Sequence, residues 1–208
     1  MKLYVTPTSP YARLARIAVI EHGLSDQVDV IAARTRTTDS PYYAVNISGR
    51  VPYLVLPNGD GFEGSGLICQ YFDSIGAGPA LAWEPSREGW NYGRLEARAH
   101  SFIDGIAVLS RELRRPENER SPDIIAHEEA RATRLADWWE GQLDNETMSS
   151  SLNMAQMILL AGLDRARRIR SLAELTSSPN LAIWRNRLHE RSSIALTMPD
   201  QPLNPTKP

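Results

Sequence analysis

A single cysteine, Cys69, is all the thiol in this 208-residue chain, which excludes an internal disulfide framework. Cys69 falls inside a helical apolar pattern, where a buried small hydrophobe is expected in preference to a nucleophile. Charge of one sign is also lacking. The 23 basic and 25 acidic side chains leave a net charge of −2, so no overall field favours nucleic acid or an anionic membrane as a partner. The densest basic run, Arg165, Arg167, Arg168 and Arg170, suits a helix C-terminus and solvent better than a phosphate backbone. Long apolar runs are missing too: stretches such as Met157–Gly162 are far too short to span a bilayer. The first residues lack a signal-peptide apolar region, so a cytoplasmic location is expected. There, the acceptor spacing Asn46-Ile47-Ser48 has no glycosylation meaning. No metal is expected.

What is present suffices for a core. With 42% hydrophobic residues, the chain can form one domain or two small ones. The first 75 residues alternate strand and helix signals. Met1–Val5 reads as a strand, and Ser9-Pro10 opens an apolar-periodic helix that Gly23 ends. Gln27–Ala32 reads as a strand, and Tyr42–Ile47 as a short helix or irregular turn. Val51–Leu56 and Gly61–Glu63 form a hairpin around Asn58-Gly59. From Ser65, the residues Leu67, Ile68, Tyr71, Phe72 and Ile75 share one helical face. These signals predict a small α/β sheet over residues 1–75.

Residues 76–86 read as a linker, and 87–208 as an all-helical domain ending in a loosely held Pro-rich tail, Pro199–Pro208. Leu95, Ala99, Phe102, Ile106, Leu109 and Leu113 form the stripe of a long helix packed in a bundle. Trp138 and Trp139 are adjacent and cannot share a helical face, so one is expected in the core. Asn153-Met-Ala-Gln156 has capping-box spacing and opens a helix, Met154–Arg168, apolar nearly all round.

Three positions carry candidate chemistry. Ser9 lies at a helix mouth, where free N–H groups and the positive dipole end favour an anion, and its hydroxyl can either cap the helix or donate to a bound thiolate. Pro52 cannot donate to a sheet ladder, so it marks an edge, a bulge, a cis bond or a plain strand start. A cis bond would turn the Val51 N–H and C=O outward to pair with an extended peptide. Ser65 can cap its own helix or help that helix hold a carboxylate.

Taken in order, these pieces resemble the soluble glutathione S-transferase superfamily over nearly the whole chain. The residues that carry the resemblance are Ser9-Pro10-Tyr11 with Arg13 and Arg16, then Glu21-His22-Gly23-Leu24 and Gly49-Arg50-Val51-Pro52-Tyr53-Leu54, followed by Ser65, Ile68 and Tyr71, and by Pro179-Asn180-Leu181-Ala182 with Trp184. The Ser-Pro-aromatic form is most similar to serine-type members such as the plant tau class and bacterial relatives.

The resemblance implies a thioredoxin-like N-terminal domain, an all-α helical-bundle C-terminal domain and a homodimer. It also implies glutathione as co-substrate: Ser9 at the sulfur, Val51 on the cysteinyl backbone, Ser65 at the γ-glutamyl carboxylate. Arg50, Pro52, Glu63 and Gly64 complete the implied binding set, with Tyr11 toward a small-molecule electrophile near the helix beginning around Trp90. Thr8, on the same turn, is the alternative thiolate donor. One departure stands out. The family usually has an acidic residue immediately before the last serine, where it meets the γ-glutamyl ammonium; this chain has Gly64 there and Glu63 one position earlier. Strand alternation turns Glu63 to the other face unless the glycine lets it swing in.

The implied function is a transferase that lowers the thiol pKa of glutathione for attack on a small hydrophobic electrophile. A non-catalytic interaction module of the same fold, or a glutathione-dependent isomerase or lyase, are the other readings.

Overall fold

A computed structural model of the chain describes residues 1–82, 84–175 and 178–203, without the side chains of 85–88. They divide into two compact units: residues 1–82 with those from His189 onward, and the residues between.

The first unit is built on four strands, β1 (Lys2–Val5), β2 (Asp29–Ala32), β3 (Tyr53–Val55) and β4 (Gly61–Glu63), in the order β2-β1-β3-β4. β1 and β2 run parallel, joined by helix α1 (Pro10–Glu21), because a parallel pair needs a crossover. β3 and β4 are antiparallel, and the hairpin turns at Gly59, whose φ of +94° is one that glycine adopts without penalty. Leu3, Val5 and Leu54 pack with Leu14, Ile17 and Ala18 of α1 and with Ile68 and Phe72 of α2 (Ser65–Ile75) to make the core of the unit. Leu67 and Ile75, expected on the apolar face of α2, are exposed instead. Only the central part of the stripe meets the sheet.

The connection after α2 is held more closely than a linker reading implies. The Asp73 carboxylate accepts the Leu81 and Ala82 N–H groups at 2.9 and 2.8 Å and bonds to Nε2 of the buried His22 at 2.7 Å. Residues up to Ala82 therefore belong to the first unit. Trp83, within the expected linker, lies outside the described residues.

The end of the chain differs from its reading as a loose extension of the helical domain. Residues 191–203, including the one-turn helix α8 (Ser192–Ala195), lie along α1 within the first unit. Glu21 accepts bonds from Arg191 and Ser193, while Arg13 and Arg16 donate to carbonyls between Ile194 and Leu203. The last five residues of the expected tail, 204–208, lie outside the described residues.

The second unit is helical: α3 (Pro85–Glu112), α4 (Pro122–Glu140), α5 (Glu146–Ser149), α6 (Met154–Ala166) and α7 (Pro179–His189). α3 breaks at Gly89 (φ 72°, ψ 177°) and presents Leu95, Ala99, Phe102, Ile106 and Leu109, all buried, while Leu113 lies just past its end. α6 is buried nearly all round, and α3 approaches it closely enough that a Cβ on Gly162 would come within 2.7 Å of Phe102. Trp139 is the core member of the tryptophan pair; Trp138 stays half-buried under the Arg98 guanidinium, 4.8 Å above its ring.

Only half of the expected capping box forms. Asn153 Oδ1 accepts the Gln156 N–H at 3.1 Å, but Gln156 Nε2 turns to the carbonyls of Thr147 and Ser150. The buried Gln156 side chain thus ties α6 to the end of α5 instead of reaching back to its own cap.

Candidate functional site

The sheet register gathers the candidate residues of the first unit at one end. Tyr4 near the end of β1 pairs with Tyr53 at the start of β3, and Tyr53 pairs with Glu63 at the end of β4. The turn after β1, the approach to β3 and the exit from β4 therefore share one edge. These segments carry Ser9, Arg50-Val51-Pro52 and Glu63-Gly64-Ser65.

Ser9 is the N-cap of α1. Its backbone is extended (φ −76°, ψ 118°), and its Oγ accepts the Ala12 N–H at 3.2 Å. Capping uses an oxygen lone pair and leaves the O–H as a donor. Among the described residues that O–H meets no acceptor, so capping and donation to an anion are compatible in one side chain. Thr8 is exposed, whereas Ser9 and Tyr11 are half-buried.

The Val51–Pro52 bond is cis. The Val51 backbone stands outside the β3 ladder, and neither its N–H nor its C=O is bonded among the described residues. The preceding carbonyl is the opposite case. Arg50 O accepts Tyr42 Oη at 2.5 Å and Asn46 Nδ2 at 3.0 Å, from side chains that are 4% and 3% exposed. Tyr42 sits in a 3₁₀ turn, Pro41–Ala44, with its ring 5.5 Å from that of Tyr4. Burial raises the Tyr42 phenol above its usual value of 10, so the donor stays protonated at neutral pH. The Arg50 side chain is exposed.

Glu63 is exposed, and its carboxylate accepts Ser48 Oγ at 2.7 Å, the same oxygen that accepts the Arg50 N–H at 3.1 Å. Gly64, with φ +92°, is the N-cap of α2 and leaves that helix without a side-chain cap. Ser65 is therefore the first helical residue and not a cap; it is 6% exposed, and its hydroxyl bonds to no group among the described residues. A buried free hydroxyl next to uncapped N–H groups is the arrangement that receives a carboxylate.

Sequence reasoning missed Tyr42, Asn46 and Ser48. The signal was present: Asn46 Oδ1 accepts the Ser48 N–H at 3.1 Å, an Asx turn in an Asn-x-Ser-Gly stretch, and Gly49 follows at φ +65° with no room for a Cβ beside Tyr43. The same three letters read as a glycosylation spacing build the loop that carries Arg50 and Val51.

Comparison with known proteins agrees with this architecture. Residues 3–80 match the family described as the glutathione S-transferase N-terminal domain. The chain is 27% identical over 202 residues to the uncharacterized GST-like protein YibF of Escherichia coli K12, covering 96% of this chain and 98% of that one. A glutathione S-transferase domain-containing protein from Marinobacter aquaeolei VT8 superposes with a TM-score of 0.79 at 26% identity, over 93% of this chain and 100% of that one. A glutathione transferase family member from Pseudomonas fluorescens Pf-5, solved with S-(propanoic acid)-glutathione bound, has a TM-score of 0.82 at 24% identity, over 97% of this chain and 100% of its own. The thioredoxin-like sheet with helices, the separate helical unit and these matches together give the chain the glutathione S-transferase fold, with residues 3–80 matching the N-terminal domain of that superfamily.

Proposed function

We propose that this protein is a glutathione transferase, which activates the glutathione thiol for attack on a small hydrophobic electrophile. The observation that carries the reading is the Ser9 hydroxyl. It caps α1 through its oxygen, and its O–H is left to donate at the helix mouth, on the sheet edge that also carries the free Val51 backbone and the uncapped start of α2. The glutathione conjugate bound to the Pseudomonas fluorescens protein supports glutathione as the thiol.

In this reading Val51 pairs with the cysteinyl backbone, and the first turn of α2 with Ser65 receives the γ-glutamyl carboxylate. Arg50 and Pro52 line the same edge. Ser9 donates to the sulfur. A free thiol near pKa ~8.5 is only a few per cent ionised at neutral pH, and each unit of depression is worth about 1.4 kcal/mol and up to tenfold more nucleophile. The thiolate then forms a bond from sulfur to the electrophilic carbon, near Tyr11. A displaced group leaves with its electron pair, or an activated double bond takes the pair and is then protonated.

Gly64 favours a second reading, a non-catalytic interaction module, because it offers no carboxylate to the γ-glutamyl ammonium. Glu63 is engaged with Ser48 and exposed, so it has to exchange that bond to serve. An isomerase or lyase would share the site but not the reaction. Titration calorimetry with glutathione, followed by thiol-consumption assays over a panel of electrophiles, separates the transferase from the module. Heat at millimolar glutathione with turnover supports the transferase, and heat without turnover on any electrophile supports the module. A homodimer in the cytoplasm belongs to the same proposal. The small-residue stripe Gly93, Ala97 and Ser101 on α3 is half-buried to exposed, and Ile47 is 97% exposed. Sedimentation showing only an about 23 kDa species at micromolar concentration contradicts the dimer.

A further inference from the structure

The Arg50 carbonyl is doubly engaged. It takes two bonds from two almost fully buried side chains, Tyr42 Oη and Asn46 Nδ2, which arrive from the 3₁₀ turn and from the loop after it. Both donors are themselves held. The Tyr42 N–H is bonded to Ser40 Oγ and its ring lies against Tyr4, while the other end of the Asn46 amide accepts the Ser48 N–H. The peptide joining Arg50 to Val51 is trans, since the cis bond is the next one along. In a planar trans peptide the C=O and N–H point in opposite directions. Fixing the Arg50 oxygen inward therefore fixes the Val51 N–H outward, and it is this N–H that is left without a partner among the described residues.

We infer that Tyr42 and Asn46 are positioning residues: by gripping the Arg50 carbonyl from both sides they aim the Val51 N–H at the backbone of the bound thiol peptide. This rests on the glutathione reading of the site. Preorganisation is the physical gain, because the ligand meets a donor already pointed at it and no ordering cost arises for that peptide plane. Two donors on one acceptor also make the arrangement redundant. Either bond alone holds the plane, so the loss of one is mild and the loss of both is more than additive.

The test is a double-mutant cycle with Tyr42→Phe, which keeps the ring on Tyr4, and Asn46→Ser, which keeps a turn-forming oxygen for Ser48 but is too short to reach the Arg50 carbonyl. Two readouts are taken. ¹⁵N relaxation of the Val51 amide in the unliganded protein should give an order parameter near the rigid value of about 0.85 in the wild type and in each single variant, and below about 0.6 in the double variant. Calorimetry should give a glutathione dissociation constant raised less than about twofold by each single change and about three- to tenfold by both, the range set by one backbone hydrogen bond. The pH at which the bound thiol ionises should stay where it is, since Ser9 is untouched; general damage to the site would move it.

A rigid Val51 amide in the double variant overturns the inference. So does a loosened amide with an unchanged dissociation constant. A wild-type protein that binds no glutathione overturns the glutathione reading and this inference with it, a result distinct from either. If the double variant does not fold, Tyr42→Phe with Asn46→Asp takes its place, since the carboxylate keeps an oxygen for the Ser48 N–H and has no donor for the Arg50 carbonyl: a rigid Val51 amide or a wild-type dissociation constant in that variant contradicts a positioning role.

Discussion

Arg16, on the helix that Ser9 caps, donates to the carbonyl oxygen of Pro202 at 3.0 Å, a contact across 186 residues of sequence. The same guanidinium reaches the Thr197 carbonyl at 3.2 Å and those of Leu196 and Leu203 at 3.4 Å. Burial, with Arg13 close by, lowers its pKa to about 10, so it remains charged at neutral pH. The carbonyl dipoles of Leu196, Thr197, Pro202 and Leu203 offset that buried charge, and no carboxylate bonds to it among the described residues.

Replacing Arg16 by Ala should therefore release the C-terminal segment. Each buried carbonyl left without a donor costs about 1–3 kcal/mol, and not all of them can be rehydrated at once. Urea unfolding should show a loss of at least about 2 kcal/mol, and limited proteolysis should cut between residues 191 and 203 in the variant before the wild type. A variant with wild-type stability and the same cleavage pattern contradicts the anchoring role.

Gly162 gives a prediction in which two effects oppose each other. In an exposed helix, Gly→Ala gains up to about 1 kcal/mol from propensity. At Gly162 the new Cβ would lie 2.7 Å from Phe102 Cδ1 in a fully buried contact between α3 and α6, and overpacking of this kind costs about 1–3 kcal/mol. The clash wins. Thermal unfolding of Gly162→Ala should show a lowered midpoint; a raised one means that α3 and α6 can separate at no cost.

His100 sets a pH dependence in the second unit. Burial lowers its pKa from 6.5, with Asp104 opposing, and Glu96 lies 4.0 Å away. Because the folded pKa is below the unfolded one, the unfolded chain binds more protons in this window. Stability from this group is complete above pH 6.5 and falls as the pH drops below that value toward the folded pKa. His100→Gln should flatten that part of the stability profile between pH 7 and 5. An unchanged slope assigns the proton uptake to other groups.

Residues whose partners lie close in sequence are legible from the sequence itself. Ser9-Pro10 and Gly23 bracket α1, and Asn58-Gly59 turns the hairpin, because caps and tight turns are settled by a few neighbouring residues. The opening of α6 is half legible: Asn153 caps it, but Gln156 finds better acceptors at Thr147 and Ser150. Arg13 and Arg16 stand out in the sequence only as a pattern, since nothing in their neighbourhood points to carbonyls some 180 residues away. The site divides along the same line. Ser9, Val51 and Ser65 stand out by local chemistry. The grip of Tyr42 and Asn46 on Arg50 depends on how an irregular segment folds back, which neither period nor composition encodes.

The central claim is that the Ser9 hydroxyl stabilises a thiolate, and the ultraviolet titration of glutathione thiolate bound to the protein tests it most directly. Bound thiolate should appear at a pH at least about one unit below that of free glutathione, equivalent to about 1.4 kcal/mol. Ser9→Ala should shift the titration back upward and cut turnover by roughly ten- to a thousandfold, with a far smaller change in affinity and only a mild effect from Thr8→Ala. Bound glutathione whose thiol titrates as it does in water, in the wild type and in Ser9→Ala alike, would contradict the account.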